Sequence, residues 1–570
     1  MAKLKFFLFL LVSFLFLPFS GFAQPPAGQT AGGIIQQEKQ IQKGEKLKER
    51  IKEEKKKPKE AAPEEIIPEE EGERVLIKKI IVEGVTRILN ADIKKITAEF
   101  EGKELSLKDM QKVADLITDE YRKKGYLTSR AYIPPQKIKE GTLTIRVVEG
   151  KLGKLEIKGN RYFKTSLLRK KIDLRPEGYF DYSALQKSLV RINEHPDRAA
   201  KVVLVPGKEP GTTDVVLQVE DNLPIHIGLE YDNYASRYIG DDRYSLIAEH
   251  NNLLGLDDKL LLKFQRSESE FYNLKTGRYV LPLGNSAETG FYFSHSNTKL
   301  GKEFEDLDSR GKATICGLFF NQALIEEEDL DLRLNLGFDY KNIKNYLLGS
   351  EYSKDRLRIF KTGFDFDITD KWGRTILTSE LDVGVPDMFG GMSAKSSTSS
   401  REGAGGKFQK GVFNLFRLQP APFSSYILWK NQAQYCNYNL VASEEFQIGG
   451  PTSVRGYPPA EYTGDEGYYT SLEWSFPPYF LPKDLKMPFK KKYNLYDSLH
   501  LVLFYDWATT HLNRVFAGEE EQQTLKGCGA GLRFNLGDDF SARVEVGYPL
   551  GETPSDQNHA HSWVEITTKF

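Results

Sequence analysis

Leu330-Asp331-Leu332-Arg333-Leu334-Asn335-Leu336-Gly337-Phe338-Asp339-Tyr340 alternates without a slip between apolar and polar side chains. In a strand successive side chains point to opposite faces, so this segment has one oily face and one wet face. Its length matches the roughly 9 to 11 residues that a tilted strand needs to cross the hydrocarbon layer of a bilayer. Similar stretches recur up to Phe570, at 225–231, 260–264, 364–368, 377–385, 501–507, 543–548 and 563–570. Such a repeat reads as a membrane β-barrel of about 16 antiparallel strands over 222–570, since closure pairs every backbone group and leaves no edge in lipid. Abundant Tyr and Phe suit the aromatic girdles of such a barrel. A soluble sandwich or propeller would need no apolar residues facing outward.

The N-terminus supplies the route. Lys3 and Lys5 precede an apolar run at 6–19 and then Ser20-Gly21-Phe22-Ala23, the pattern of a secretory signal peptide cut after Ala23. The run is too short for a spanning helix, which needs about 20 residues. Mean hydropathy is negative, yet half the strand residues of a barrel face water, so export to a bacterial outer membrane is the expectation.

The remaining composition mostly excludes. A formal net charge of −1 gives nothing to attract nucleic acid. Cys316, Cys436 and Cys528 lie in three separate strand-like segments, an odd number without close spacing, and read as small packing residues. His559 and His561 form the only close histidine pair and read as a solvated turn before the last strand. No phosphate loop, nucleophile elbow or metal-ligand spacing is present; Gly449-Gly450-Pro451-Thr452-Ser453 lacks the lysine a phosphate loop requires. The reading is therefore of a protein that is not an enzyme and needs no cofactor.

Residues 24–73 are read as a polar helix at 34–56 followed by a charged linker with Pro58, Pro63 and Pro68; the helix has too few apolar residues for a core of its own. Two related α+β units follow, at 74–150 and 151–221. The first opens with a strand at 75–82 and holds a helix with Ser106 as N-cap, Asp109 three residues on, an apolar face of Met110, Val113, Ile117 and Tyr121, and Gly125 as its stop. It closes with a strand at 142–148. The second runs from Leu155 and Ile157 through a helix at 182–192 to strands at 201–205 and 213–219. Free sheet edges in such modules can take up an extended client by strand addition. Loops at 390–406, Gly/Ser-rich and of external type, and at 478–496, with clustered lysines, interrupt the barrel region.

The segment Phe446-Gln447-Ile448-Gly449-Gly450-Pro451-Thr452-Ser453-Val454-Arg455-Gly456-Tyr457 resembles the lumenal loop of the outer-membrane transporters of two-partner secretion, the TpsB family (ShlB/FhaC/HecB type). That resemblance implies that Val454, Arg455, Gly456 and Tyr457 form the tip of a loop folded back into the pore. Phe504-Tyr505-Asp506-Trp507-Ala508 resembles the family's wall motif, with Ala508 where the family has Gly. Asp506, beside Phe504, is then the partner of Arg455, an always ionised fork that needs a carboxylate. Residues 121–150, with Gly125-Tyr126, Ile133-Pro134, Gln136, Gly141 and Glu149-Gly150, look like the family's first POTRA (polypeptide-transport-associated) module, and 152–220 like the second. The 34–56 segment stands where the family has a helix that plugs the pore. Phe570, ending an alternating strand with Val564, Ile566 and Thr568, matches the insertion signal read by the barrel-assembly machinery.

The resemblance thus implies an outer-membrane pore with POTRA modules in the periplasm. There an unfolded exoprotein, an adhesin, haemolysin or similar, would be captured and passed to the cell surface. The alternatives are an assembly factor for other barrels, although such proteins carry more than two modules, and a passive porin.

Overall fold

The computed structural model describes residues 25–52, 74–174, 178–209, 211–327, 329–487, 490, 492–516 and 518–570. The segment expected to be a signal peptide and the expected charged linker fall in 1–24 and 53–73, outside the described residues. Two units are formed: Lys55–Pro224 with Asn251–Asp257, and Met1–Glu54 with Ile225–His250 and Asp258–Phe570.

In the first unit one topology occurs twice. Lys79–Glu83 runs parallel to Thr142–Val148, which pairs antiparallel with Arg130–Tyr132 on its other side. Lys151–Lys158 likewise runs parallel to Thr212–Asp221, which pairs antiparallel with Arg198–Pro206. The helix Leu107–Lys123 covers the first sheet because its apolar stripe, Met110, Val113, Ile117 and Tyr121, is wholly buried. Burial of each such side chain contributes about 1.5–3 kcal/mol. The Ser106 hydroxyl accepts from the Asp109 amide at 3.2 Å while the Asp109 carboxylate accepts from the Ser106 amide at 3.0 Å, a reciprocal cap. At the other end Gly125 takes φ +87°, which ends the helix.

The single strand expected at 75–82 is two. The Gly141 carbonyl accepts from the amides of Lys78 and Lys79 at 2.8 and 3.2 Å and breaks the ladder there. Val75–Ile77 pairs instead with Lys103–Leu105. The helix Asn90–Ala98 and the three-residue strand Arg130–Tyr132 were not foreseen either.

In the turn Asn251–Asp257, Asp257 accepts a two-pronged bond from Arg198 at 2.6 and 2.8 Å and an ion pair from Lys171 at 2.8 Å. Burial pushes this carboxyl up, but the hydrogen bonds and charges of Arg198 and Lys171 outweigh it and hold the group at about 2.

The second unit is a closed barrel. Its sixteen strands are Ile225–Asp232, Arg243–His250, Lys259–Ser267, Tyr272–Leu283, Ala287–Lys299, Arg310–Glu326, Leu330–Leu347, Ser350–Asp370, Gly373–Gly384, Phe408–Ala421, Ser425–Cys436, Glu466–Phe476, Leu499–His511, Gln522–Leu536, Phe540–Pro549 and His561–Lys569. Neighbours are antiparallel throughout, and Glu565–Lys569 closes the cylinder against Gly228–Asp232. The alternation at Leu330–Leu347 sets the two faces. Phe338 meets Phe360 of the next strand on the outside, ring centroids 5.0 Å apart. Asp339 and Lys341 point into the lumen and are buried there. The three cysteines are free thiols on three different strands.

The N-terminal helix spans Ala31–Lys52, beginning three residues before the expected start. Those first residues matter, since Ala31, Ile34 and Ile35 are buried against Tyr272, Leu274, Ala313 and Ile343 of the wall. Farther along, Ile41 packs with Tyr234 and Trp563, so a segment with no core of its own borrows that of the barrel. Asn345 Oδ1 accepts from the Ala31 amide at 3.0 Å, and Glu38 pairs with Arg243, which also holds Asp232 at 2.7 Å.

Asp257 yields a pH prediction. A carboxyl depressed from about 3.9 in the unfolded chain stabilises the fold above that value, and the contribution disappears as pH falls through about 2. Asp257→Asn should cost on the order of 2 kcal/mol at neutral pH and flatten the loss of stability between about pH 4 and 2. Urea unfolding of both proteins over that range, followed by circular dichroism, measures this.

Candidate functional site

Residues 437–465 connect the strands Ser425–Cys436 and Glu466–Phe476 and fold back onto the inner wall. A short hairpin, Phe446–Ile448 with Tyr462–Gly464, stiffens the loop, and its tip carries Val454, Arg455, Gly456 and Tyr457. Val454, Arg455 and Tyr457 are at most 1 % exposed, so the tip is inside the structure.

A buried guanidinium requires acceptors for its five N–H groups. Arg455 grips Asp506 with two prongs, Nε to Oδ2 at 2.8 Å and Nη2 to Oδ1 at 2.7 Å. Nη1 donates to Glu473 at 2.8 Å and to Glu545 at 2.9 Å, and Nη2 also donates to the Ser471 hydroxyl at 3.1 Å. The plane of the guanidinium lies over the Phe504 ring, 3.4 Å from its centroid, where the π face adds a favourable cation contact. The strand period explains the convergence. Ser471 and Glu473 are two apart on one strand and share its inner face; Asp506 lies directly opposite Ser471, and Phe504 opposite Glu473.

The acids are shared with wall cations. Lys430 and Arg533 hold Glu473 at 2.7 and 3.0 Å, and Arg533 and Arg543 both donate to Glu545. Asp506 has no cation partner but Arg455 among the described residues.

The backbone of the tip is also held. The Arg455 amide donates to Asp506, the Trp563 indole donates to the Arg455 carbonyl at 2.8 Å, and His561 Nδ1 bonds the Gly456 carbonyl at 2.9 Å. Gly456 is required by proximity: a Cβ there would come within 2.6 Å of the Tyr548 and Pro549 backbone. Gly547 is the matching position on the wall, where a Cβ would meet the Arg455 carbonyl carbon at 2.4 Å.

A second group of contacts ties the loop to the N-terminal helix and to the rest of the barrel. Gln447 donates to the Gly33 carbonyl at 2.9 Å, and Gln29 to the Pro459 carbonyl at 3.3 Å. Glu444 is held by Lys341 and by Lys410, the latter at 2.7 Å. At the end of the barrel away from Ile225, Arg401 of the 385–407 loop donates to Asp465 at 2.9 Å.

The structure therefore brings Arg455, Asp506 and Phe504 together. Val454 packs with Ile448, Tyr469, Ala508 and Leu525, while the Tyr457 hydroxyl donates to the Glu552 carbonyl at 3.1 Å. Ala508 keeps an unbroken ladder between Tyr469 and Leu525, so the missing glycine leaves the strand regular. Phe570 exchanges backbone bonds with Ile227, and its ring is exposed.

Sequence reasoning missed Glu473, Glu545, Ser471, Trp563 and His561. The acids sit at inward positions of alternating strands, but only strand register reveals that they meet. His561 is a correction, because it is not in a solvated turn. It opens the last strand, is buried, bonds Asp556 at 2.9 Å and stacks on Trp563.

A family model described as "Haemolysin secretion/activation protein ShlB/FhaC/HecB" matches residues 211–533, and a ShlB-type POTRA domain model matches 75–150. The chain is 23 % identical over 501 residues to the Heme/hemopexin transporter protein HuxB of Haemophilus influenzae, covering 85 % of each. It is 24 % identical over 427 residues to the Outer membrane transporter CdiB of Escherichia coli O6:K15:H31, covering 72 % of this chain and 71 % of that one. Among solved structures, CdiB from Escherichia coli superposes with a TM-score of 0.71 at 22 % identity, over 96 % of this chain and 100 % of that one.

Arg455→Ala should destabilise the barrel by about 3–5 kcal/mol, because Asp506 is left as a buried charge without its partner. Arg455→Lys should recover only part, a single ammonium being unable to form the two-pronged bond. Unfolding in urea with the detergent-solubilised protein, followed by circular dichroism, measures both.

Proposed function

The chain belongs to the ShlB/FhaC/HecB family of haemolysin secretion/activation proteins, outer-membrane transporters that export a partner protein, and on that premise we propose how its parts divide the work. The two periplasmic modules, 74–150 and 151–221, capture the partner in an unfolded state. The pore formed by 222–570 conducts it to the surface. The partner is a large secreted protein of the adhesin or haemolysin type; relatives bear the names heme/hemopexin transporter and hemolysin transporter.

The observation that carries this reading is that two elements lie against the inner wall of the barrel. One is the Ala31–Lys52 helix, the proposed plug, seated by Ala31, Ile34, Ile35 and Ile41, and the other is the loop tipped by Arg455, held by an ionic cluster. The polar contacts of the loop can be exchanged for water when a chain enters. Arg455, Asp506 and Phe504 are the proposed anchor of the loop. With no nucleotide site in the sequence, folding of the partner outside the cell supplies the driving force. Outer-membrane lipid surrounds the barrel, and Phe570 serves its insertion by the assembly machinery. In place of an insertase, the relatives at the sequence level are all transporters of this family.

Deletion of residues 31–52 should raise single-channel conductance in planar bilayers several-fold and leave the barrel folded; unchanged conductance would show that the helix is no plug. In cells that also express a partner protein exported by this chain, Arg455→Ala should lower its surface appearance by about tenfold at equal amounts of folded barrel. Undiminished export would refute the role of the loop anchor.

A further inference from the structure

The outer face of the barrel is not uniform around its circumference. On the strands Tyr272–Leu283 to Ser350–Asp370, the outward positions just above the apolar band, toward the end away from Ile225, carry a cluster of cations among neutral polar residues. Register fixes the pattern. Lys312 lies directly opposite Lys344, and Lys344 directly opposite Lys354, so three lysines on three successive strands stand side by side. Arg356 is two residues along the strand from Lys354 and shares its face. Lys275 and His295, opposite each other on two further strands, lie on the neighbouring line that runs through Thr314 and Asn342 to Arg356.

These positions are outward because their strand-mates are. Lys312 shares a face with Cys316 and Leu318, and Lys344 with Tyr340 and Phe338, which are lipid-facing apolar residues. Like charges directly opposite on neighbouring strands repel and destabilise a sheet. Only one acid relieves the row, Glu351, at 3.2 Å from Lys344. Lys275, Lys312, Lys354 and Arg356 enter no ion pair among the described residues. The rest of the rim differs: at the same end the outward positions of later strands carry Tyr435, Tyr468 and Tyr548, the aromatic girdle usual at an interface, with Lys526 opposite Trp507 rather than beside another cation.

A row of cations, of which Lys344 alone has an acidic partner among the described residues, stands immediately above an apolar belt and meets the layer where lipid headgroups lie. We propose that Lys312, Lys344, Lys354 and Arg356, with Lys275 and His295 at the flank, form a binding site for the phosphate groups of phosphorylated glycolipid in the outer leaflet. Each lysine presents a point charge to a phosphate oxygen and Arg356 a two-pronged fork. The acyl chains of the same lipid cover the apolar strip of Cys316, Leu318, Phe338 and Phe360 below. The bound anion removes the mutual repulsion, which explains why the row is tolerated. The site rests on the outer-membrane barrel and is independent of whether the lumen conducts a partner protein.

The test uses the full chain in neutral detergent, with native mass spectrometry and bisphosphorylated lipid A as the probe. Wild type should retain lipid A and release it in favour of neither its dephosphorylated form nor inorganic phosphate. Lys312→Glu/Lys354→Glu/Arg356→Glu should weaken retention by about tenfold or more. The same three residues changed to Gln provide a milder variant should the reversal not fold; it too should lose affinity while keeping the heat-resistant migration of the folded barrel. Equal binding of the dephosphorylated lipid, displacement by inorganic phosphate, or full retention by either folded variant would overturn the proposal.

Discussion

A permanently charged guanidinium buried in the barrel is the constraint around which the lumen is arranged. Arg455 cannot lose its proton, so the wall must supply charge, and it does so from three strands through Glu473, Asp506 and Glu545. Three carboxylates would overcompensate one cation. Lys430, Arg533 and Arg543 correct this, and Glu565, 3.9 Å from Arg543, brings the cluster to four charges of each sign. Removing the loop tip therefore disturbs the members unequally. Glu473 and Glu545 keep wall partners, whereas Asp506 would be stranded. The pair Arg455–Asp506 is the member of the cluster that reports whether the loop is seated.

How much of this could be read from the chain depends on whether the information is local. The period-2 pattern at Leu330–Tyr340 made a strand of one oily face legible because the bilayer demands it residue by residue. The capped helix Leu107–Lys123 was legible for the same reason, Ser106 and Asp109 being three residues apart. The strand at 75–82 misled, since the Gly141 carbonyl that splits it lies some sixty residues away in sequence. Arg455 and Asp506 were paired on resemblance, with strand alternation supporting the inward aim of Asp506. Glu473 and Glu545 were invisible, because an inward acid on one strand looks like any other until register places it. His561 was misread because its short polar context resembles a turn, while the Gly456 carbonyl and the Trp563 ring that bury it come from the fold.

Apolar content also misjudged the N-terminal helix. Averaged over its length it is too polar to build a core, yet Ala31, Ile34, Ile35 and Ile41 are each buried against the wall. Helices in proteins gain most of their stability from the tertiary packing of one face. The barrel is thus the template on which the beginning of this segment is ordered, and what holds it there can be counted contact by contact.

That count separates the two lumenal elements. The helix meets the loop through neutral amides, Gln447 to Gly33 and Gln29 to Pro459, each worth about 0.5–1.5 kcal/mol net because water replaces the lost partner. Its one buried ion pair, Glu38 with Arg243, can open without orphaning the wall, since Arg243 keeps Asp232 at 2.7 Å. The loop has no such exit. Lifting Arg455 isolates Asp506, at about 3–5 kcal/mol for a broken buried pair, and takes the Trp563 and His561 bonds with it. The helix also buries Ala31, Ile34, Ile35 and Ile41 against the wall, about 1.5–3 kcal/mol for each large side chain, so its hold on the barrel is mainly apolar while that of the loop tip is mainly ionic.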